Sequence, residues 1–277
     1  MMSSRIFEGS VLANDYVQYR PSVPEIVTES VIKHTKNSTD LKPGLVVDVG
    51  CGSGQFTQSL ARHFDRALGF DISEAQIEEA KKHNQFSHVE YSIAPAERLP
   101  LEDGSVDLLT VASAVHWFDM PAFTREADRV LKPGGCIAVI GTYRIRTVNH
   151  QNELIKSKLI ECREKYTQEL DKYRVIDTKA YYKFYETLEF PSYDMTRWSM
   201  EYNRTLTAPA FINFLQTLSF SIKYLERHPN TTLFEEYRDN LHSILVSEKE
   251  EKEASFQLTW FYDILIARKP IPTMPTL

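Results

Sequence analysis

The sequence predicts an α/β fold: a mostly parallel, seven-stranded sheet with helices on both faces and a helical cap. Three observations predict it. Short apolar runs of strand length alternate with helical patterns through residues 45–143, and the links between successive runs hold one helix or a tight turn. The stretch Val46–Thr57, VVDVGCGSGQFT, packs three of the chain's ten glycines into five residues directly after an apolar run. The second half, rich in Tyr and Lys, adds helical segments and two further strand patterns.

Each element follows from its local pattern. LVVDVG (45–50) is a short apolar run ending at glycine, a buried-strand signal. QFTQSLARHF (55–64) places Phe56, Leu60 and Phe64 at spacings of four, which is helical. RALGFD (66–71) is a second strand ending in Asp71, and Ser73 reads as the N-cap of the helix EAQIEEAKKH. HVEYSIA (88–94) alternates as a strand does, and SVDLLTVASA (105–114) is a fourth, strongly apolar one. MPAFTREADRVL (120–131) is a helix with Pro121 near its start. KPGG (132–135) reads as a turn and CIAVIGTY (136–143) as a fifth strand. Residues 149–190 are polar and helical. RWSMEYNRTLT (197–207) reads as strand six, residues 208–226 as one helix starting at Pro209, and FQLTWFYDILIARKP (256–270) as a last strand in the same sheet. SEKEEKEAS (247–255) is a solvated charge run.

Composition excludes several classes. A chain of 277 residues with 42% hydrophobic content can bury a real core. Its net charge of −6 argues against nonspecific binding to nucleic acid or anionic membrane. No apolar run approaches the roughly 18 residues of a membrane span, and the first residues lack the apolar core of a secretion signal. Cys51, Cys136 and Cys162 are dispersed, with no CxxC pair, and the eight histidines show no HExxH. These features predict reduced thiols, a cytoplasmic location and no metal site.

The glycine loop carries the functional signal. Glycines 50, 52 and 54 permit positive φ and close approach of backbone to a ligand. A helix starting near Gln55 would turn its free N–H groups toward it. A phosphate-cradling P-loop needs GK[ST], and no lysine stands here. The dinucleotide fingerprint needs a third glycine where this chain has Gln55. What remains is D-x-G-x-G-x-G, with Asp48 at its entrance. Asp71 stands seventeen positions past Gly54, where a carboxylate can accept both hydroxyls of a ribose. Loop and acid together point to a nucleoside-bearing ligand. The plain alternative is a tight strand-to-helix turn with Asp71 capping a helix. In an open α/β sheet ligands lie outside the carboxyl ends of the strands, which places Asp48–Gly54, Asp71, Ala94–Glu97, Ala112–Trp117 and Gly141–Tyr143 around one site.

VVDVGCGSG with GFDIS resembles motif I and the following acidic motif of class I S-adenosylmethionine-dependent methyltransferases. APAERLPLEDGSVDLLTVASAVHWFD and READRVLKPGGCIAVIG resemble the later motifs of that family (methyltransferase type 11). The resemblance covers about residues 10–145. Within the family it is similar to the trans-aconitate methyltransferase-like small-molecule group, through YRPSVP (19–24) and HWFD (116–119). It implies a Rossmann-like methyltransferase sheet forming one domain over 1–277. That domain would comprise an N-terminal lid (1–40), a cofactor-binding core (41–145), a helical insertion over the acceptor pocket (146–195) and C-terminal strands and helices completing the sheet (196–277).

The resemblance also implies roles. Asp48, Gly50, Cys51, Gly52, Gly54 and Gln55 would surround the methionine part and ribose of S-adenosylmethionine, with Tyr19 on the lid side. Asp71 would hold the ribose hydroxyls, Ile72 would flank the adenine, Ala96 and Glu97 would meet its edge, and Ala112 would face the sulfonium. Many relatives carry an Asp before the Ala-Glu pair. This chain has Pro95 there, so adenine recognition would rest on backbone or on Glu97.

Methyl transfer from a sulfonium is an in-line displacement with an activated donor, so positioning and desolvation supply most of the catalysis. A carboxylate acceptor needs no base at neutral pH, whereas an amine, phenol or alcohol is helped by one. His116 is the candidate base, with a pocket-lining role weighed ahead of proton removal, against a structural histidine bonded to a carbonyl. Trp117 and Phe118 would form an aromatic wall beside the positive sulfonium or the acceptor, against ordinary core packing, and Tyr143 at the end of strand five is a further substrate-binding candidate. Arg20, between Tyr16/Tyr19 and the Pro21/Pro24 hinge, would pair with the methionine carboxylate or an acidic substrate, against a surface ion pair.

The expected activity is methylation of a small molecule, a carboxylic acid foremost, by a monomer or dimer without nucleic-acid or membrane partners. The alternatives are methylation of a protein or nucleic acid, a catalytically silent S-adenosylmethionine-binding protein, and a nicotinamide oxidoreductase. No basic tract and no N/D-P-P-Y/F motif after strand four favours a nucleic-base acceptor.

Overall fold

In a computed structural model, five strands lie where the apolar runs of the first half place them: β1 (Leu45–Val49), β2 (Arg66–Asp71), β3 (Val89–Ile93), β4 (Val106–Ala112) and β5 (Leu131–Asn149). Two later strands, β6 (Asp194–Thr207) and β7 (Ser255–Arg268), complete the sheet. The structure describes residues 19–20, 22–35, 44–174, 177–246 and 254–272, without the side chains of 142–147 and 178.

The seven strands follow the order β3-β2-β1-β4-β5-β7-β6. The first five pair in parallel, and β7 pairs antiparallel with both β5 and β6. β7 therefore runs against all the others. Its place between β5 and β6 follows from burial. FQLTWFYDILIAR is almost continuously apolar and is buried along most of its length, whereas β6 mixes polar and apolar side chains, exposed or part-buried, and has no fully buried residue. The interior position suits the first and an edge suits the second.

Nine α-helices are described: α1 (Glu25–Thr35), α2 (Gln55–Ala61), α3 (Glu74–Lys82), α4 (Met120–Val130), α5 (Glu153–Asp171), α6 (Thr178–Thr187), α7 (Ala208–Gln216), α8 (Ser219–Arg227) and α9 (Leu233–Val246). Successive strand residues face opposite layers. Val46, Leu108 and Ile140 join one cluster with Leu60 of α2, Ile77 of α3 and Leu159 of α5. Val47, Leu109 and Val139 join the other with Phe123 of α4 and Tyr185 of α6. Helices thus cover both faces, as the α/β pattern predicts. No helix among the described residues is long and apolar enough to cross a membrane.

Two local expectations are corrected, and one helix is added. KPGG is not a turn ahead of strand five but an irregular start of β5: the register passes from Val106↔Leu131 to Leu108↔Cys136. Lys269 seals this bulge, its N–H donating to Gly135 O and its carbonyl accepting from Gly134 N–H. The single helix expected over 208–226 is two. Thr217 donates its hydroxyl to Phe214 O at 2.7 Å, closing α7, and the chain turns through Leu218 into α8. Helix α9 was not anticipated, although Phe234, Tyr237, Leu241 and Leu245 are its buried face at helical spacing. Most of the charge run, together with Tyr16 and Pro21, lies outside the described residues.

Candidate functional site

The sheet order reverses between β1 and β4, and the carboxyl ends of these strands frame the site. The loop leaving β1 holds Gly50, Gly52 and Gly54 at φ values of 68°, 53° and 79°, a region L-residues rarely adopt. The N–H groups of Gly50 and Cys51 both donate to Phe70 O, at 2.7 and 3.0 Å, folding the loop over the end of β2.

One row of residues in register across four strands supports the loop from below: Thr110, Asp48, Gly69 and Tyr91. Tyr91 lies across Gly69, where an added Cβ would come within 2.5 Å of its ring, and its hydroxyl donates to Gly54 O at 3.1 Å. Asp48, only 1% exposed, accepts from Thr110 Oγ1 at 2.8 Å and from Thr57 Oγ1 of α2 at 2.7 Å. Burial is the main cause that pushes its carboxyl up to about 6.

This shift has a sign. Between the ordinary carboxylate range and about 6, the folded protein holds a proton that the unfolded chain releases. Asp48 therefore stabilises less as pH rises through that window. Asp48→Asn keeps an acceptor and adds a donor for the two hydroxyls but cannot ionise. Urea denaturation is expected to show the variant gaining roughly 3 kcal/mol on the wild type between about pH 4 and 7. Parallel pH profiles would contradict this.

Asp71 ends β2. Its Oδ2 accepts from Gly52 N–H at 2.8 Å and its Oδ1 from Ser73 N–H at 2.9 Å, so it joins the loop to the start of α3. Burial raises its carboxyl above the ordinary range.

Beyond the loop opens a cavity of about 640 Å³. Asp48, Gly50, Cys51, Gly52, Ser53 and Gln55 line one end, Ala112, His116 and Trp117 the side at β4, and side chains of α5–α9 and β7 the rest. His116 sits in the 3₁₀ turn Val115–Trp117. Its Nδ1 lies 3.1 Å from Tyr185 Oη, and its ring packs 4.9 Å from both Trp117 and Tyr181. Burial lowers it to about 4, so the imidazole is neutral and weakly basic at neutral pH. Arg20 reaches the same cavity. Its Nε donates to Thr217 Oγ1 and its Nη2 to Thr217 O, both at 3.0 Å, tying the N-terminal segment to the break between α7 and α8.

Other sequence-predicted site residues stand outside this cavity. Ile72 is exposed beyond β2, Ala96 is buried, and Tyr19, Gly54 and Asp71 do not line it. Glu97 accepts from Asp119 N–H at 2.9 Å, so one of its oxygens serves the start of α4. Phe118 turns away from the cavity, packing edge-on to Phe123 at 5.0 Å and beneath Gly50. Its place in the aromatic wall is thereby corrected to packing. The Tyr143 side chain lies outside the description.

The sequence reading missed Tyr91, Thr57, Thr110, Tyr181 and Tyr185. Thr57, one turn into the helix after the loop, was the only one with a local signal. Tyr185 is admitted by Gly141, where a Cβ would meet its ring at 2.8 Å.

Residues 47–139 match a family described as methyltransferase domain. A candidate methyltransferase of Dictyostelium discoideum is 37% identical over 145 residues, 52% of this chain and 52% of that protein. A malonyl-[acyl-carrier protein] O-methyltransferase of Hahella chejuensis is 38% identical over 96 residues, 34% of each. The chain thus spans about half the length, or less, of these curated relatives. Among solved structures, a candidate type II methyltransferase from Anaeromyxobacter dehalogenans superposes with a TM-score of 0.72 at 26% identity, covering 91% of this chain and 99% of that one.

Proposed function

Because the chain carries a class I S-adenosylmethionine-dependent methyltransferase domain, we propose that it methylates a small-molecule acceptor, a carboxylic acid foremost. One observation carries this reading: a single cavity of about 640 Å³ joins the glycine loop to the helical cap, with room for a donor at one end and an acceptor at the other.

The residues fit the cofactor. The loop is a cradle that a side chain would fill, since a Cβ on Gly50 would lie 2.5 Å from Ala114 Cβ. Asp71 gives one lone pair of each oxygen to backbone N–H groups and keeps others for ribose hydroxyls. Ile72 offers an exposed apolar face to the adenine. Ala96 would stand behind the adenine edge, where backbone groups take the recognition that Glu97 shares with the α4 N-terminus. Asp48 acts as the brace of the loop. When bound, S-adenosylmethionine supplies a methyl group already activated on a sulfonium. The chain's own contribution is orientation by Gly50, Gly52 and Ala112, and exclusion of water by the aromatic residues around His116.

The state of His116 bears on the acceptor. An amine must lose a proton before or during attack, and an imidazole lowered to about 4 is a poor acceptor of it. A carboxylate is ionised at neutral pH and needs no base. His116 and Trp117 then orient the acceptor, and Tyr185 holds the imidazole. The O-methyltransferase name of the Hahella relative agrees with an oxygen acceptor.

Incubation of the protein with cell extract and methyl-labelled donor tests the proposal. Label is expected in low-mass products that pass ultrafiltration and are identified by mass spectrometry. Label confined to retained macromolecules would refute a small acceptor.

A further inference from the structure

Helix α5 presents Arg163, Thr167 and Asp171 to the cavity at spacings of four, and Arg174 follows three residues later. This is one helical face. Lys179, at the start of α6, lines the same space. We propose that this corner of the cap anchors a charged group of the acceptor other than the one methylated. The acceptor is then an amphipathic organic anion whose apolar body lies on the aromatic wall beyond. The inference rests on reading the cavity as the acceptor site, and it adds the recognition chemistry.

Charge is the first argument. The chain as a whole carries −6, yet among the described residues the cavity wall holds four cationic side chains against two carboxylates. One of those carboxylates, Asp48, is closed off beneath the loop by Thr57 and Thr110. Among the described lining residues, the cap end holds Arg163, Arg174 and Lys179 with one carboxylate, Asp171, which Arg174 already engages.

Asp171 Oδ1 takes Arg174 Nε at 2.6 Å, and the guanidinium lies 4.5 Å from the centre of the Phe220 ring. Among the described residues its two terminal nitrogens make no hydrogen bond, and Lys179 Nζ has no ion-pair partner. A guanidinium held by Nε and stacked on a ring is oriented for a two-pronged grip on a carboxylate or phosphate group. A cleft of one sign between low-dielectric walls concentrates the opposite charge.

Unpaired donors are the second argument. Tyr237 Oη and Trp260 Nε1 belong to side chains of the same cavity wall. Both residues are more than nine-tenths buried, and neither polar atom has a hydrogen-bond partner. Both are donors in the neutral state, and burial holds the Tyr237 hydroxyl protonated. Both atoms are themselves covered, so they mark a wall short of acceptors without reaching into the cavity. The aromatic part of the wall, with Phe211, Phe214 and Phe220 beside those two residues, provides for the apolar body.

Two fluorescent probes that differ by one charge test the proposal on the full chain. Anilinonaphthalene sulfonate is an aromatic anion, and N-phenylnaphthylamine is its uncharged counterpart. Both are expected to bind the wild type saturably. The double variant Arg174→Gln/Lys179→Gln is expected to weaken the sulfonate about tenfold while leaving the uncharged probe unchanged. Retained binding of the uncharged probe shows that the cavity still folds. Equal weakening of both probes, unchanged sulfonate binding, or no binding of either by the wild type would overturn the anchor. Calorimetric titration of S-adenosylmethionine into the same proteins reads the donor site separately, so failure of the methyltransferase reading is distinguishable from failure of the anchor.

Discussion

Asp71→Ala is expected to weaken S-adenosylmethionine binding by about a hundredfold or more. The carboxylate has two duties, and alanine ends both. It accepts from Gly52 N–H at 2.8 Å and Ser73 N–H at 2.9 Å, holding the glycine loop to the start of α3. On the proposed reading it would also accept from the ribose hydroxyls. Hydrogen bonds to a charged group contribute about 1.5–3 kcal/mol each, and about 2.7 kcal/mol is a hundredfold in affinity. Asp71→Asn retains an acceptor oxygen but sets an amide N–H₂ against one of the two backbone donors. It should fall between wild type and alanine. Calorimetry gives the affinities, and thermal melting without ligand separates the loop-bracing part from the ribose part. An unchanged dissociation constant in Asp71→Ala would place the nucleoside elsewhere.

Gly54→Ala is the second large effect, and it is one of stability. A Cβ there would stand 2.5 Å from Tyr91 Oη and 2.6 Å from Tyr91 Cζ. Tyr91 is itself buried and pinned across Gly69, so it has nowhere to move. The left-handed φ of 79° adds about 1–2 kcal/mol for an L-residue, and overpacking adds about 1–3 kcal/mol. The sum, about 2–5 kcal/mol, should appear as a large drop in the urea midpoint. Gly54→Asn distinguishes the causes. Asn tolerates positive φ better than most residues, so a loss as large as that of Ala would show that the Tyr91 ring dominates. A change within about 0.5 kcal/mol for Ala would mean that the floor of the loop yields.

Local pattern carried much of this molecule. The strands were legible because each is a short apolar run whose alternate residues face two helical layers, as Val46 and Val47 do. The glycine loop and Asp71 were legible because positive φ and a strand-end carboxylate leave a spacing in the chain. The same reading did not see the distant partners that some of its candidate residues hold. Glu97 bonds to Asp119, twenty-two positions on. Phe118 packs under Gly50 rather than over an acceptor. His116 was correctly placed at the mouth of β4, but its basicity depends on Tyr181 and Tyr185, more than sixty positions away.

By itself, then, the sequence determined the α/β class, the parallel order of local units, the glycine loop after the first strand and the acid that ends the second. These follow from hydrophobic period and backbone freedom, which are properties of neighbouring residues. The tertiary structure alone decided that β7 inserts between β5 and β6, that Thr110, Asp48, Gly69 and Tyr91 align as the floor of the loop, and that the cations of α5 and α6 share a cavity with Tyr237 and Trp260. The reason is physical. Strand order, register and cavity shape arise from packing between residues scores of positions apart, and dehydration of a side chain depends on what packs over it, not on the residues beside it in the chain.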